Sequence, residues 1–218
     1  MTVTRVHIIL VLLLATIVWA AVLLMQGTQI SIEHAAPFSI VVGFLGFVAL
    51  AVEHVLWRQR WLHGWLFYRP DLRGTWLVEL QSNYEDPTTG NRISPIICYM
   101  GIAQTFSKLQ LHLMTQESES WLIAHSVMKS PNEDGYRVCG VYSNKPSVHL
   151  RAFRSEIHMG AIVLDTHGPQ KLRPEALAGE YFTDRLTKGS LLLSKRISAH
   201  TTRFADAAEA FKSTANNW

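Results

Sequence analysis

Two apolar segments near the start of the chain constrain its fold more than any other feature. His7 to Met25 carries no formal charge, and as a helix it would span about 28 Å, close to the roughly 30 Å hydrocarbon core of a bilayer. The second segment, Pro37 to Trp57, contains one acid, Glu53, a turn from its end. Because only residues 26–36 separate the segments, the sequence predicts a transmembrane helical hairpin over residues 1–57.

The distribution of basic residues predicts the orientation of this hairpin. Arg5 precedes the first segment, residues 26–36 contain no Lys or Arg, and arginines follow the second segment at 58, 60, 69 and 73. Short Lys/Arg-rich flanks stay on the cytoplasmic side, so both termini are expected in the cytoplasm and the protein in a bacterial inner membrane. The alternative is a cleaved signal peptide, since Ala15, Ala20 and Ala21 are small.

Small residues mark one side of the second segment. Ser39, Gly43 and Gly46 recur at helical spacing and would allow close helix packing. Such a stripe is as consistent with packing between the two helices of the hairpin as with packing between subunits. The expected partners of the hairpin are membrane lipid and further copies of the chain.

An aromatic linker follows the second segment. Trp57, Trp61 and Trp65 recur every four residues, which predicts that the second helix continues with one aromatic face. Phe67 and Tyr68 extend this set into a belt typical of a membrane–water interface, so residues 58–72 are interpreted as an interfacial linker.

From residue 74 the hydrophobic period changes to two, which is typical of strands. Turn residues separate many of the segments, and eight or nine short strands without a helix between them favour an antiparallel sandwich or closed barrel. The expected fold is an eight-stranded, lipocalin-like antiparallel β-barrel over residues 73–198, with Trp76 in its core. The predicted strands are Gly74–Leu80, Ser94–Gln104, Lys108–Gln116, Trp121–Met128, Tyr136–Tyr142, Val148–Phe153, Glu156–Asp165, Gly179–Asp184 and Ser190–Ile197.

The last segment, residues 199–218, changes period again. Phe204, Ala208 and Phe211 share one helical stripe, which predicts a short C-terminal helix that docks on the barrel or the membrane, followed by a loose tail.

Composition argues against several function classes. The net charge of +3 is carried largely by arginines beside the predicted membrane segments, so it does not indicate a DNA or RNA polymer as partner. Cys98 and Cys139 lie in strand-like runs and suit a reducing cytosol. The scattered histidines form no metal-binding pattern, and no nucleophile or phosphate-loop motif occurs. We therefore expect no catalytic residue, no metal and no resident cofactor.

The run LAGEYFTDRLTKG, Leu177 to Gly189, resembles the L-x-G-x-Y-[WF]-T-D-R-x-T-x-G run of the two-transmembrane, β-barrel effectors of bacterial CBASS antiphage systems. Tyr142 to Pro146 and His158 to Asp165 are similar to further parts of that family, as is the order of two spans and then a strand-rich domain. The resemblance implies a barrel that binds a cyclic dinucleotide made by a partner synthase of the CD-NTase type. It also implies that the nucleotide controls oligomerisation and disruption of the inner membrane.

The residues themselves give candidate ligand contacts. Alternation along the strand that begins at Gly179 places Tyr181, Thr183 and Arg185 on one face, with Phe182 and Asp184 on the other. An arginine near a strand end can bind phosphate in bidentate fashion, and a tyrosine can stack on a base. The candidate ligand contacts are Tyr142, Asn144, Arg151, Tyr181, Thr183, Asp184 and Arg185.

Structural roles remain open for each of these candidates. Asp184 and Arg185 could instead pair with neighbours to close the turn at Lys188 and Gly189, and Tyr142 and Asn144 are placed where a strand enters a turn before Pro146. Two other functions also remain open: a tethered barrel that binds a lipid or apolar metabolite, and an adaptor that docks only a protein. A basic, polar lumen or mouth would favour the nucleotide, a dry apolar cavity would favour the lipid, and a filled barrel with no cavity would favour the adaptor.

Overall fold

The structure is a computed structural model, and it describes residues 3–27, 32–85, 90–130, 135–148 and 156–215. The chain divides into two compact units, Met1–Trp57 and Arg58–Trp218. The first unit is helical and the second is built mainly from strands.

The first unit contains two helices, α1 (Val3–Met25) and α2 (Ile32–His54). The rings of Trp19 and Phe38 stack between them with centroids 4.6 Å apart. Many large apolar side chains of both helices are more than half exposed, including those of Leu14 and Phe44. Among the described residues, no helix combines the length and the hydropathy needed to cross a membrane.

The two glycines of the small-residue stripe have space around them. Apart from the helix's own backbone, no described atom lies within 4 Å of the position that a Cβ would take at Gly43 or Gly46. A larger side chain would therefore fit at both positions beside the described residues, and packing within the hairpin and assembly between subunits both stay predictions for the stripe.

The predicted continuation of α2 through the aromatic linker is wrong. The helix ends at His54, a single 3-10 turn covers Leu56–Arg58, and the residues that follow form tight turns instead of a helix. Gly64 has φ +85°, which a helix does not allow, and its N–H donates to the carbonyl of Phe67 at 2.9 Å. The four-residue spacing of the tryptophans therefore does not reflect a helical face.

The second unit is a closed antiparallel barrel of eight strands in which each strand pairs with the next and the last pairs with the first. This confirms the predicted barrel. The strands are β1 (Gly74–Ser82), β2 (Ile96–Gln104), β3 (Leu109–Met114), β4 (Ser118–Lys129), β5 (Tyr136–Pro146), β6 (His158–His167), β7 (Ala176–Thr183) and β8 (Lys188–Ile197).

Two segments differ from the sequence prediction. Strand β5 continues to Pro146, because residues up to Asn144 pair in register with β6 and residues up to Pro146 pair with β4. Asn144 therefore lies within a strand and not at the entrance to a turn. The additional strand predicted over Val148–Phe153 falls mostly outside the described residues, and Val148 itself belongs to no strand.

One end of the barrel, which we call the closed end, is filled by apolar side chains. Trp76 is completely buried there, and its indole N–H donates to the carbonyl of Leu72 at 2.8 Å. The guanidinium of Arg196 lies over the same ring, 5.0 Å from its centroid. Every strand except β4 contributes buried residues to this core. They include Ile102, Val138, Leu164 and Leu177. The second unit thus contains its own core and its own complete ladder of strands, as an independently folding domain does.

The predicted C-terminal helix is present as α3 (Phe204–Ala215). It packs on the outer wall of the barrel, where Tyr99 contacts the rings of both Phe204 and Phe211 at centroid distances of 5.2 and 5.3 Å. Ala207 and Met114 are completely buried in this contact. The helical stripe read from the sequence is therefore the face that docks on the barrel.

Candidate functional site

The half of the barrel opposite the closed end contains a cavity of about 820 Å³. This volume falls within the range of about 300–1,000 Å³ that is usual for small-molecule sites. Its deeper wall is apolar and is formed by Leu80, Met100, Leu111, Leu122, Ile162 and Leu191. The polar residues at its rim include Ser82, Ser118, Ser120, Asn144, His158, Thr183, Arg185 and Thr187, and Ile93, Ile96, Glu117 and Pro146 also line the cavity.

Two tyrosines line the cavity in the same way, each directly opposite a glycine on the neighbouring strand. Tyr142 of β5 pairs with Gly160 of β6, and Tyr181 of β7 pairs with Gly189 of β8. A Cβ at Gly160 would lie 2.5 Å from Cζ of Tyr142, and one at Gly189 would lie 2.6 Å from Cε1 of Tyr181. The rings therefore lie along the wall, over glycines that have no side chain, and the lumen between them stays open.

Both phenol groups are protonated at neutral pH. Burial raises the pKa of Tyr142 well above its usual value; Tyr181 and Asp184 raise it further, and Arg185 partly offsets the increase. Burial also raises the pKa of Tyr181, while a hydrogen bond with Ser82 opposes that shift. Each tyrosine thus offers the cavity an aromatic face and a hydroxyl that can donate a hydrogen bond.

Asn144 is held in place at the rim. Its amide nitrogen donates to the hydroxyl oxygens of Ser120 at 2.8 Å and Ser118 at 3.2 Å, both on the neighbouring strand β4. These two bonds fix the orientation of the amide. A fixed amide can distinguish hydrogen-bond donors from acceptors on a ligand.

Arg185 lies in the turn between β7 and β8, where other residues close the turn. The N–H of Thr183 donates to the carbonyl of Thr187 at 2.9 Å, and the two threonine hydroxyls lie 2.7 Å apart. Leu186 adopts the left-handed conformation that the turn requires, with φ 63°. The threonines thus fix a turn that places Arg185 on the rim of the cavity.

Of the seven candidate ligand contacts, the structure brings five to one cavity: Tyr142, Asn144, Tyr181, Thr183 and Arg185. Asp184 faces away, as the alternation predicted, and its carboxylate accepts a hydrogen bond from the N–H of Met159 at 3.0 Å. Arg151 lies outside the described residues. A role in ligand binding stays a prediction for all seven.

Five polar rim residues are not among the candidates read from the sequence: Ser82, Ser118, Ser120, His158 and Thr187. The two serines of β4 precede the predicted start of that strand at Trp121, whereas the structure begins the strand at Ser118. His158 begins β6 and lines the same cavity. Alternating polar residues at 118 and 120 were the available signal, but the register that turns them inward depends on pairing with β5.

Metal ligands do not converge among the described residues. None of their histidine, cysteine and acidic side chains form a group of three or more that could hold a metal ion. His112 stacks on Trp121 with centroids 4.8 Å apart and lies 3.7 Å from a carboxylate oxygen of Glu119. Neither Trp121 nor His112 lines the large cavity.

A comparison with protein-family models matches residues 67–195 to the Cap15 cyclic dinucleotide receptor domain. The match covers more than half of the chain. The chain belongs to the Cap15 receptor family. A search of curated proteins found no match to it.

The Cap15 match begins before β1 and ends within β8, so it includes nearly the whole barrel. It also includes every described residue that lines the 820 Å³ cavity. The cavity is thus part of a domain whose family is defined by reception of a ligand and not by catalysis. The resemblance found in the sequence to CBASS effectors is confirmed at the level of the family.

Proposed function

We propose that the protein is a CBASS antiphage effector whose barrel binds a cyclic dinucleotide in the 820 Å³ cavity. The observation that carries the proposal is the convergence of Tyr142, Tyr181, Asn144 and Arg185 on one cavity in a Cap15 receptor domain. Aromatic faces suit two bases, and a guanidinium at the rim suits a phosphate.

The lining gives each part of such a ligand a suitable environment. The rings of Tyr142 and Tyr181, seated over Gly160 and Gly189, offer flat surfaces for the bases. Arg185 would hold a phosphodiester, because guanidinium–phosphate pairs form two parallel hydrogen bonds. The rim hydroxyls and the fixed amide of Asn144 are left to contact base edges or ribose.

The cavity also discriminates among the alternative functions. A protein adaptor would be expected to have a filled barrel, whereas this barrel is hollow. The apolar deeper wall, with Met100 and Leu111, keeps a lipid or apolar metabolite as the second candidate. The polar rim and the two tyrosines favour the nucleotide over the lipid.

Isothermal titration calorimetry of residues 58–218 with a panel of cyclic di- and trinucleotides tests this function. We expect one or more cyclic dinucleotides to bind, and a fatty acid not to compete. The variant Arg185→Gln should weaken binding roughly 10- to 150-fold, since a hydrogen bond to a charged group contributes about 1.5–3 kcal/mol. Lys129→Gln, an exposed cation at the far end of β4, is the matched control.

Two results would contradict parts of this proposal. Binding of no cyclic nucleotide by a folded barrel would count against the ligand class. If Arg185→Gln binds as tightly as the parent, the phosphate contact lies elsewhere even though the class stands.

We further propose that the effector resides in the inner membrane, with both termini cytoplasmic, and that nucleotide binding controls its oligomerisation and membrane disruption. This part is supported by the uncharged run from His7 to Met25, the arginine asymmetry and the family. Thr28→Cys should react with an impermeant thiol reagent in intact spheroplasts, whereas Ser213→Cys should not. Labelling of Ser213→Cys alone would reverse the orientation.

A further inference from the structure

The linker after the second helix folds as part of the closed end of the barrel. We call residues 59–69 the aromatic loop. Leu62 and Phe67 are buried, at 5% and 7% exposure, and the ring of Phe67 meets that of Phe106 in the β2–β3 turn with centroids 5.3 Å apart. His63 Nε2 lies 3.1 Å from the hydroxyl of Tyr136 at the start of β5. The loop is thus anchored to the barrel at two or more points.

The anchoring turns four large apolar side chains outward. Trp61 is 72% exposed, Trp65 74%, Tyr68 63% and Leu66 55%. More than half of each of these side chains is exposed to solvent, so packing of the barrel does not account for their apolar surface. Tryptophan and tyrosine combine an apolar body with a polar group and are enriched where a protein meets the headgroup layer of a bilayer.

The same end of the barrel carries an excess of positive charge. Asp71 is buried and accepts two hydrogen bonds of 2.8 Å from the guanidinium of Arg73. Arg173 lies 3.6 Å from the same carboxylate, and Arg196 donates to the backbone carbonyl of Asp71 at 2.6 Å. Three guanidinium groups of the described residues, those of Arg73, Arg173 and Arg196, thus meet at the single acidic residue Asp71.

We propose that the closed end of the barrel is a docking surface for a bilayer that contains anionic lipids. The rings of Trp61, Trp65 and Tyr68 enter the headgroup layer, and Arg173, whose side chain is more than half exposed, binds lipid phosphate. Apolar insertion and attraction to anionic lipid are the two terms that hold interfacial segments on membranes. The surface is independent of the cavity, because the rim with Arg185 lies at the opposite ends of the same strands.

Co-sedimentation of residues 58–218 with vesicles tests the proposal without the two N-terminal helices, since this unit has its own core and closed sheet. We expect binding to vesicles of phosphatidylcholine with 30% phosphatidylglycerol, weaker binding to phosphatidylcholine alone, and release as salt is raised. The double variant Trp61→Ser/Trp65→Ser should lower the affinity about tenfold or more. Trp121→Ser, which removes a partly exposed tryptophan from the side wall of the barrel, is the matched control.

A charge variant separates the electrostatic contribution. Lys171 and Arg173 flank Leu172, whose carbonyl accepts a hydrogen bond from the N–H of Asp71, so Lys171→Gln/Arg173→Gln removes two cations from the closed end. Each cation near an anionic surface contributes about 1 kcal/mol. We expect weaker binding to the anionic vesicles and a shallower dependence on salt. Arg185→Gln at the rim should leave vesicle binding unchanged.

Three outcomes would overturn the proposal. In the first, a barrel whose circular dichroism shows folded strands does not bind anionic vesicles. In the second, the double tryptophan variant binds these vesicles as tightly as the parent. In the third, the parent forms a dimer and the double tryptophan variant does not. The last result would assign the surface to a second copy of the chain. If the isolated unit does not fold, the experiment uses the full chain in nanodiscs that contain brominated lipids, which quench the fluorescence of tryptophans at the bilayer. Equal quenching of tryptophan fluorescence in the parent and the double variant would reject docking.

Discussion

The two tyrosine–glycine pairs show how single residues shape the cavity. A tyrosine opposite a larger residue would project into the lumen, whereas Gly160 and Gly189 let the rings of Tyr142 and Tyr181 lie against the wall. Aromatic side chains that cover a cross-strand glycine also stabilise a strand that the glycine alone would weaken. The same pairs therefore serve the sheet and the space inside it.

This arrangement predicts that the ring of Tyr142, and not its hydroxyl, matters most for binding. Tyr142→Leu should weaken cyclic dinucleotide binding roughly 5- to 150-fold, because base–aromatic stacking contributes about 1–3 kcal/mol. Tyr142→Phe keeps the ring and is the control, for which we expect a change below about fivefold. Calorimetry measures both. Equal affinities for the Leu and Phe variants would remove stacking from the model of the site.

A second residue-scale prediction concerns stability and pH at the closed end. Burial alone would raise the pKa of Asp71, but the hydrogen bonds and charge of Arg73, with Arg173 nearby, hold it below its usual value. A carboxyl with a lowered folded-state pKa stabilises the fold above its unfolded pKa of about 3.9, and this contribution is lost as the pH falls through the folded-state value. Asp71→Asn should therefore lower the free energy of unfolding by about 3 kcal/mol at pH 7.

The difference in the free energy of unfolding between the parent and Asp71→Asn should shrink as the pH is lowered from about 5 to 3. Urea denaturation at several pH values measures this difference. Glu180→Gln, an exposed acid on β7, should change stability by no more than about 0.5 kcal/mol at pH 7. If the difference in the free energy of unfolding stays constant down to pH 3, the ionised carboxylate of Asp71 is not what stabilises the fold.

At the scale of elements, the docking of α3 on the barrel predicts a local loss of stability. Phe211 is partly buried against Tyr99, so Phe211→Ala should lower the free energy of unfolding by about 1–2 kcal/mol. Cyclic dinucleotide affinity should not change, because α3 lies on the outer wall. Thermal unfolding and calorimetry test the two parts, and Lys212→Ala on the exposed side is the control. A full loss of ligand binding would show that the helix contributes to the cavity.

The strands could be predicted from the sequence because inward and outward residues alternate along each of them. The aromatic loop could not, since its spacing of tryptophans at 57, 61 and 65 is also that of a helix. What decides between the two is tertiary: the barrel buries Leu62 and Phe67, and Gly64 takes a positive φ to allow this. The local spacing of the tryptophans contains no information about the barrel surface against which the loop packs.

The site was predictable in part for a related reason. Alternation within β7 assigned Tyr181 and Thr183 to one face without knowledge of any partner strand, whereas Arg185 reaches the same cavity from the turn that follows the strand. Ser118 and Ser120 on β4, and the seating of Tyr142 over Gly160, depend on which residue of one strand faces which residue of the next. That register is fixed by loops and packing of the whole barrel, and a single sequence does not display it.

At the scale of the whole molecule, the open face of α2 leads to a prediction about output. Gly43 and Gly46 meet no described side chain, so larger residues there should leave the first unit intact and block close approach of another copy. Gly43→Leu/Gly46→Leu should abolish dye entry into cells supplied with the activating synthase, while the ligand affinity of the barrel is unchanged. Phe44→Leu, at an exposed position on a different side of the helix from the stripe, is the matched control.

Unaltered dye entry by the double glycine variant would remove this stripe from the mechanism. Loss of ligand binding by the same variant would instead indicate damage to the fold. Normal dye entry by Phe44→Leu is needed for the comparison to stand, because it shows that apolar changes elsewhere on α2 are tolerated.

The pairing of β1 with β8 has a consequence for how the barrel is completed during folding. The other pairings join consecutive strands and can form as local hairpins, whereas this seam joins the first strand to the last. Closing so long a loop costs more entropy, so the seam is expected to form late. Until it does, the growing sheet has two bare edges, and such edges are the usual starting points for strand exchange between neighbouring chains. Chains crowded together at one surface would be most exposed to that exchange, so we expect each barrel to stay separate only after β1 has paired with β8.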